Sequence, residues 1–293
     1  MSASESPIPF ELDPPEHDVA GLPVRRAIPT VRCRAVGPFV FLDHMGPTTL
    51  PAGAGIDVPP HPHIGLATVT YLFEGGLEHR DSLGIHQPIR PGAMNWMSAG
   101  RGIVHSERSG DEERVNASAQ HGMQAWVALP REHEESDPSF AHYPAETLPT
   151  VALEGATARV LVGSALGASS PVETLSPMVY VELRLEAGAS LTIDDPAPER
   201  ALYLVSGSLA IHGKEYAGPR LLVLARDVAV PVVARQASHA MLLGGPPLDG
   251  RRTVHWNFVS STKERIERAR QDWAAGRFPP VPGDDGPPVP LPG

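Results

Sequence analysis

Apolar residues recur at every second position in several short stretches of the chain: "LATVTYLF" (66–73), "MVYVELRLEAG" (178–188) and "ALYLVSGSLAI" (201–211). That period turns alternate side chains to one face and predicts strands buried on one side. A further β-branched stretch, "LLVLARDVAVPVVA" (221–234), contains Pro231, which marks an edge or a bulge because it brings no N–H to a ladder. Glycine and proline (28 and 33 residues) punctuate the whole chain. Many short strands between such turns predict an all-β sandwich or barrel. The clearest helical period lies in "SSTKERIERARQDWAAGRF" (260–278), with Ile266, Ala269 and Trp273 on one face. Ser261 and Glu264 fit a capping box, and Gly276 can end the helix. The Pro/Gly-rich tail (279–293) predicts no fixed structure beyond Gly283.

A weak internal repeat adds to this picture. "TYLFEGGLEH" (70–79) and "LYLVSGSLAI" (202–211) share Tyr-Leu-x-x-Gly, beginning at Tyr71 and Tyr203. The offset suits two copies of one small β-domain. The chain of 293 residues, 41% hydrophobic, has the length and apolar content for both.

The net charge of −10 argues against a direct nucleic-acid binder, which needs a basic face. The acidic run Glu132–Asp137 reads as solvated surface. The one cysteine, Cys33, allows no disulfide within the chain and reads as a small buried hydrophobe. The opening "MSASESPIPFELDPPEHD" has neither the basic nor the apolar region of a signal peptide. No run reaches the roughly 20 apolar residues of a membrane helix. The expected location is the cytoplasm, with no membrane association.

Candidate chemistry sits in two pairs. Residues i and i+2 on a strand point to one side, so His61 and His63 in "PPHPHIG" can face one metal ion. His105 and Glu107 in "GRGIVHSERSG" have the same spacing. On neighbouring strands the two pairs would supply three neutral nitrogens and one carboxylate oxygen. That set suits a divalent first-row metal such as Fe(II), Mn, Co or Ni. With six-coordination, two positions stay open for an enolate or catecholate oxygen and for O2 or water. The alternative is a pair of solvent-exposed histidines at a strand edge. Other polar residues have plainer readings. His44 in "FLDHMGP" reads as a turn residue, and His79, Arg80 and Asp81 as a surface ion-pair cluster. His121 and Gln124 read as core polar groups satisfied by backbone, with reach into the metal cavity as the alternative, and Met94, Trp96 and Met97 as core, with a pocket wall as the alternative.

The stretches "VGPFVFLDHMGP" (36–47), "HPHIGLATVTYLFEGGLEHRDSLG" (61–84), "PGAMNWMSAGRGIVHSE" (91–107), "HGMQAWVALP" (121–130) and "HWNFVSST" (255–262) resemble the pirin family of the cupin superfamily. The resemblance runs over roughly residues 20–283. It implies two jelly-roll-type cupin β-barrel domains packed together, with a short C-terminal helix. The expected organisation is an N-terminal arm (1–19), a metal-binding cupin domain (20–145), a cupin domain without metal ligands (146–259), the helix (260–278) and the tail (279–293). By this resemblance the ligands are His61, His63, His105 and Glu107, and the usual metal is iron. In the second domain Ile193 and Asp195 stand where the first has His61 and His63, and His239 is isolated. One departure is informative. Pirins commonly read His-Pro-His-Arg-Gly-Phe-Glu, whereas here Ile64 replaces the arginine and Ala67 the glutamate, which would leave the pocket mouth less charged.

Several pirins oxidise the flavonol quercetin with O2, opening its heterocycle and releasing carbon monoxide. Others bind protein partners as regulators. The resemblance therefore implies a quercetin 2,3-dioxygenase-like oxidoreductase, with a flavonol-like or enol substrate and Glu107 as candidate general base. The alternative is a non-catalytic, iron-dependent redox sensor that binds a protein partner. A third reading keeps the fold with another small-molecule substrate. A monomer is expected.

Overall fold

The computed structural model of the chain describes residues 6–19 and 21–292. Residues 1–5 of the expected arm, residue 20 and the last residue of the tail lie outside the described residues.

The strands fall in two compact units, each discontinuous in sequence. One gathers Glu16–Arg25, Phe41–Ala145 and Leu248–Gly293; the other gathers the described part of Met1–Pro15 with Arg26–Val40 and Glu146–Pro247. The first unit has a four-stranded antiparallel sheet in the order Asp57–His63, Ile103–Arg108, Leu77–Asp81, His86–Ile89. Its seven-stranded sheet places Leu66–Glu74 between Met94–Ser98 and Ser118–Ala128. The second unit repeats the plan: a four-stranded sheet, and a seven-stranded sheet in which Glu199–Ser206 lies between Arg220–Leu224 and Ser238–Gly245. Its core is aliphatic, built on Val181, Leu183, Leu202, Leu204, Leu222 and Leu242. The fold is all-β with two β-domains and a short C-terminal helix.

The Tyr-Leu-x-x-Gly repeat marks equivalent strands of the two units. Tyr71 and Tyr203 are both buried. The glycines that end the motif, Gly75 and Gly207, both have φ +85°. A methyl group at either would collide with a carbonyl oxygen, that of Ala119 or of Ala237. Left-handed backbone and this close approach explain why glycine recurs.

Several boundaries differ from the linear expectation. The arm is not one element: Phe10–Leu12 pairs with Arg220–Leu224, whereas Glu16–Val19 forms a hairpin with Leu22–Ile28. Such edge strands are short and polar on one side, so they leave little periodic signal. The helix spans Lys263–Ala274, and its N-cap is Thr262, whose hydroxyl accepts from Arg265 N at 3.3 Å. Ser261 is committed elsewhere: its N–H and hydroxyl both donate to the buried Glu134 carboxylate at 2.9 Å. The tail is held in place. Val289 N donates to Pro60 O at 2.9 Å, Trp273 Nε1 donates to Val289 O at 3.0 Å, and Asp284 receives two bonds from Arg108. Proline content suggested disorder because composition does not reveal a few well-placed anchors. Cys33 is buried, and burial pushes its thiol up to about 11, in keeping with a packing role.

Ile64 lies at 1% exposure with Phe258, Ile266 and Ala269, so it is a packing residue and not part of a pocket mouth. Ala67 is fully buried, and strand alternation turns it away from the face that carries Thr68 and Thr70. Ile64→Ala should cost about 2–5 kcal/mol, read as a lower thermal midpoint of the metal-free protein; an unchanged midpoint would show that this cluster contributes little.

Candidate metal centre

The four-stranded sheet of the first unit collects the chemistry on one face. His61 lies directly opposite His105 in the ladder between Asp57–His63 and Ile103–Arg108. His63 points the same way, two residues on. In Leu77–Asp81 alternation buries Leu77, His79 and Asp81 and leaves Glu78 and Arg80 partly exposed. His105 faces Asp81, and Glu107 faces His79, across that second ladder. The register slips between His105 and Glu107: Pro59 and Pro60 together oppose the single residue Ser106. Two successive prolines bring no N–H donors, so the ladder cannot continue through them.

His61, His63 and His105 converge. One ring nitrogen from each lies within 4.8 Å of the other two. His63 Nε2 and His105 Nε2 are 3.0 Å apart. The ring of Trp126 meets His63 edge-on at 5.2 Å. All three histidines are buried. Burial disfavours imidazolium, holding His61 down to about 4 and His63 and His105 well below the ordinary 6.5. Neighbouring histidines push in the same direction, and carbonyl contacts at His61 and His63 partly oppose it.

The outer nitrogens fix two of the rings. His61 Nδ1 is 2.9 Å from Pro59 O, and His63 Nδ1 is 3.1 Å from Asn257 O. A carbonyl only accepts, so both Nδ1 atoms donate, and in the neutral rings both Nε2 atoms carry bare lone pairs. This orientation is what metal-bound histidines use. The 3.0 Å separation of His63 and His105 is also what two nitrogens show at a right angle, each about 2.1 Å from one ion. The donor set therefore fits a divalent metal.

Glu107 stands outside this three-histidine group. Thr70 Oγ1 lies 3.3 Å from Glu107 Oε1 and 2.8 Å from Gln124 Oε1. Burial pushes the Glu107 carboxyl up, against the pull of His79 and the Thr70 hydroxyl. The structure thus brings together three of the four expected ligands and sets the carboxylate outside that group, against the Thr70 hydroxyl.

Other expectations change. His79 and Asp81 are not a surface cluster: they are 5% and 0% exposed, behind His105. Their signal was the alternation Leu77-x-His79-x-Asp81, which continues the apolar face. His44 is in the strand Phe39–Leu50, not a turn, with Nε2 2.8 Å from His121 Nε2. Gln124 bonds a side chain rather than backbone. Met94, Trp96 and Met97 are core, as expected. In the second unit Ile193 belongs to the aliphatic core, Asp195 accepts from Ala197 N at 2.8 Å, and His239 Nε2 contacts Glu182 at 3.0 Å, so it is not isolated. A cavity of about 570 Å³ opens in that unit, lined by Val181, Leu183, Leu191 and Leu242 with Asp194 and Asp195. It coincides with no metal-ligand group among the described residues, so the chemistry is assigned to the histidines.

Comparison with known proteins gives the family. The Pirin family matches residues 21–127, and the Pirin C-terminal cupin domain matches residues 180–279. The chain is 46% identical to a pirin-like protein of Caulobacter vibrioides, over 97% of this chain and 99% of that one. It is 33% identical to the pirin of Homo sapiens, over 86% and 87% of the two chains. A crystal structure of quercetin 2,3-dioxygenase from Acinetobacter baumannii superposes with a TM-score of 0.90 at 35% identity, covering 97% of this chain and 94% of that one. Two matched domains and full-length similarity lead to one conclusion: the chain belongs to the pirin family.

Proposed function

We propose that this pirin is a metal-dependent dioxygenase of the quercetin 2,3-dioxygenase type, with Fe(II) held by His61, His63, His105 and Glu107. The observation that carries the reading is the convergence of three buried, neutral imidazoles whose outer nitrogens are already satisfied. The 35% identity to a solved quercetin 2,3-dioxygenase supports the reaction class. A ferrous ion bound there would act as a Lewis acid toward a deprotonated enol oxygen and supply the redox link to O2. The chain's own residues do the rest. Trp126 packs edge-on against His63. The Glu107 carboxylate, loosened from the ion, would take the flavonol 3-hydroxyl proton, and the Thr70 hydroxyl, shared between Glu107 Oε1 and Gln124 Oε1, contacts it.

Quercetin-dependent O2 uptake by anaerobically Fe(II)-loaded protein is the direct test. The His61→Ala/His63→Ala chain should lose bound iron and uptake together. Wild-type protein that holds iron tightly and consumes no O2 with quercetin would overturn the reading.

Glu107→Gln should retain iron on the histidines and lose turnover by about 10²-fold or more. Unchanged turnover with iron retained would remove the base role.

The metal-free protein should lose stability in acid. Unfolded imidazoles titrate near 6.5, whereas folded His61 holds out to about 4. Between these values the unfolded chain binds protons that the folded chain refuses, so stability falls as pH falls, by up to ~1.4 kcal/mol per pH unit for each such histidine. Glu107, raised in the folded state, has the opposite sign: its share is present in acid and lost as pH rises through its folded value. Three histidines outweigh one carboxyl, so the thermal midpoint should be lower at pH 5 than at pH 7. The His61→Gln/His63→Gln chain should show a smaller difference.

A further inference from the structure

His105 differs from the other two histidines. Among the described residues its outer nitrogen meets a side chain and not a carbonyl: Nδ1 lies 3.3 Å from Nδ1 of His79. A ring nitrogen can donate or accept, so this contact alone leaves the His105 tautomer open. On the inner side His105 Nε2 faces His63 Nε2 at 3.0 Å. His63 Nε2 is bare, because its Nδ1 donates to Asn257 O. If His105 carried its proton on Nε2, it would donate to His63 and cap the ligand set.

What lies behind His79 decides the matter. His79 Nε2 is 3.0 Å from Asp81 Oδ2. The other oxygen, Asp81 Oδ1, accepts the backbone N–H groups of Leu83 at 2.9 Å and Ile85 at 3.1 Å. Two N–H donors on Oδ1 hold this fully buried side chain as a carboxylate, whose Oδ2 can then only accept. His79 is stacked on Phe140 at 4.5 Å and an interplanar angle of 20°, which fixes its ring plane. Its proton must therefore lie on Nε2, toward the carboxylate. Neutral His79 then presents a bare Nδ1, and His105 donates to it from Nδ1. The proton order runs one way, from His105 to His79 to Asp81.

We infer that Asp81 and His79 form a positioning relay that locks His105 in the tautomer with a bare Nε2, completing a three-nitrogen metal receptor. The inference rests on the metal-centre reading above and assigns the third imidazole's orientation to residues outside the ligand set. It leaves two bare nitrogens, His63 Nε2 and His105 Nε2, 3.0 Å apart. Two bare nitrogens at that distance repel each other, and a shared cation relieves the repulsion. The competing order, with both nitrogens of His79 protonated, would leave an N–H of His105 pointing at His63 and a positive charge beside a cation site.

Asp81→Asn separates the relay from the fold. The asparagine Oδ1 can still accept from Leu83 and Ile85, so the turn is kept. Its NH2 replaces Oδ2 and donates to His79 Nε2, which moves the His79 proton to Nδ1 and forces His105 to carry its own on Nε2. A second variant, His79→Phe, preserves the stack on Phe140 and removes both nitrogens.

The experiment has two readouts. Long-range 1H–15N correlation spectra of the metal-free protein should show His105 protonated on Nδ1 in the wild type and on Nε2 in Asp81→Asn. Titration with Co(II), followed by its visible absorption, should show affinity about 10–100-fold weaker in both variants, with the metal-free thermal midpoint of Asp81→Asn nearly unchanged. His105 protonated on Nε2 in the wild type, or wild-type Co(II) affinity in both variants, overturns the relay. Wild-type protein that binds no Co(II) at all overturns the metal-centre reading beneath it.

Discussion

A buried imidazole can offer a lone pair on one side only if it gives its proton away on the other. The arrangement of the first unit follows from that constraint. His61 gives its proton to Pro59 O and His63 gives its own to Asn257 O. Both acceptors are backbone atoms, fixed by the chain itself and indifferent to pH. Burial then makes the neutral form the favoured one, so the desolvation that penalises an imidazolium leaves the bases available to a cation.

Proline contributes in the same sense. Pro59, Pro60 and Pro62 flank the two histidines and remove N–H groups that would otherwise seek ladder partners. The carbonyl of Pro59 stays free to take the His61 proton, and that of Pro60 accepts from Val289. The bulge these prolines cause falls between His105 and Glu107, which is also where the histidine group ends and the carboxylate begins. Rigidity in one strand thus separates two chemically different halves of the site.

Much of this was legible in the sequence. Period-two alternation identified the strands, and the His-x-His and His-x-Glu spacings found the residues that share the inner face of one sheet. What escaped was long-range. Asn257 acts through a carbonyl, which no residue type advertises. His79 and Asp81 looked like surface charges because charged side chains usually are. Their burial follows from continuing the alternation that begins at Leu77, a pattern that holds regardless of polarity. Asp284 and Val289 were unreadable because Pro/Gly-rich composition is shared by disordered chains and by extended segments held at a few points.

The partner that orients His63 lies 194 residues further along the chain. Ribosomes extend a chain at roughly 5–20 residues per second, so about 10–40 s separate the synthesis of the histidine from that of the carbonyl that sets its tautomer. During that interval the emerging His-Pro-His segment lacks the carbonyl that fixes the His63 tautomer. The orientation of His63 is therefore a property of the completed domain and not of its own segment.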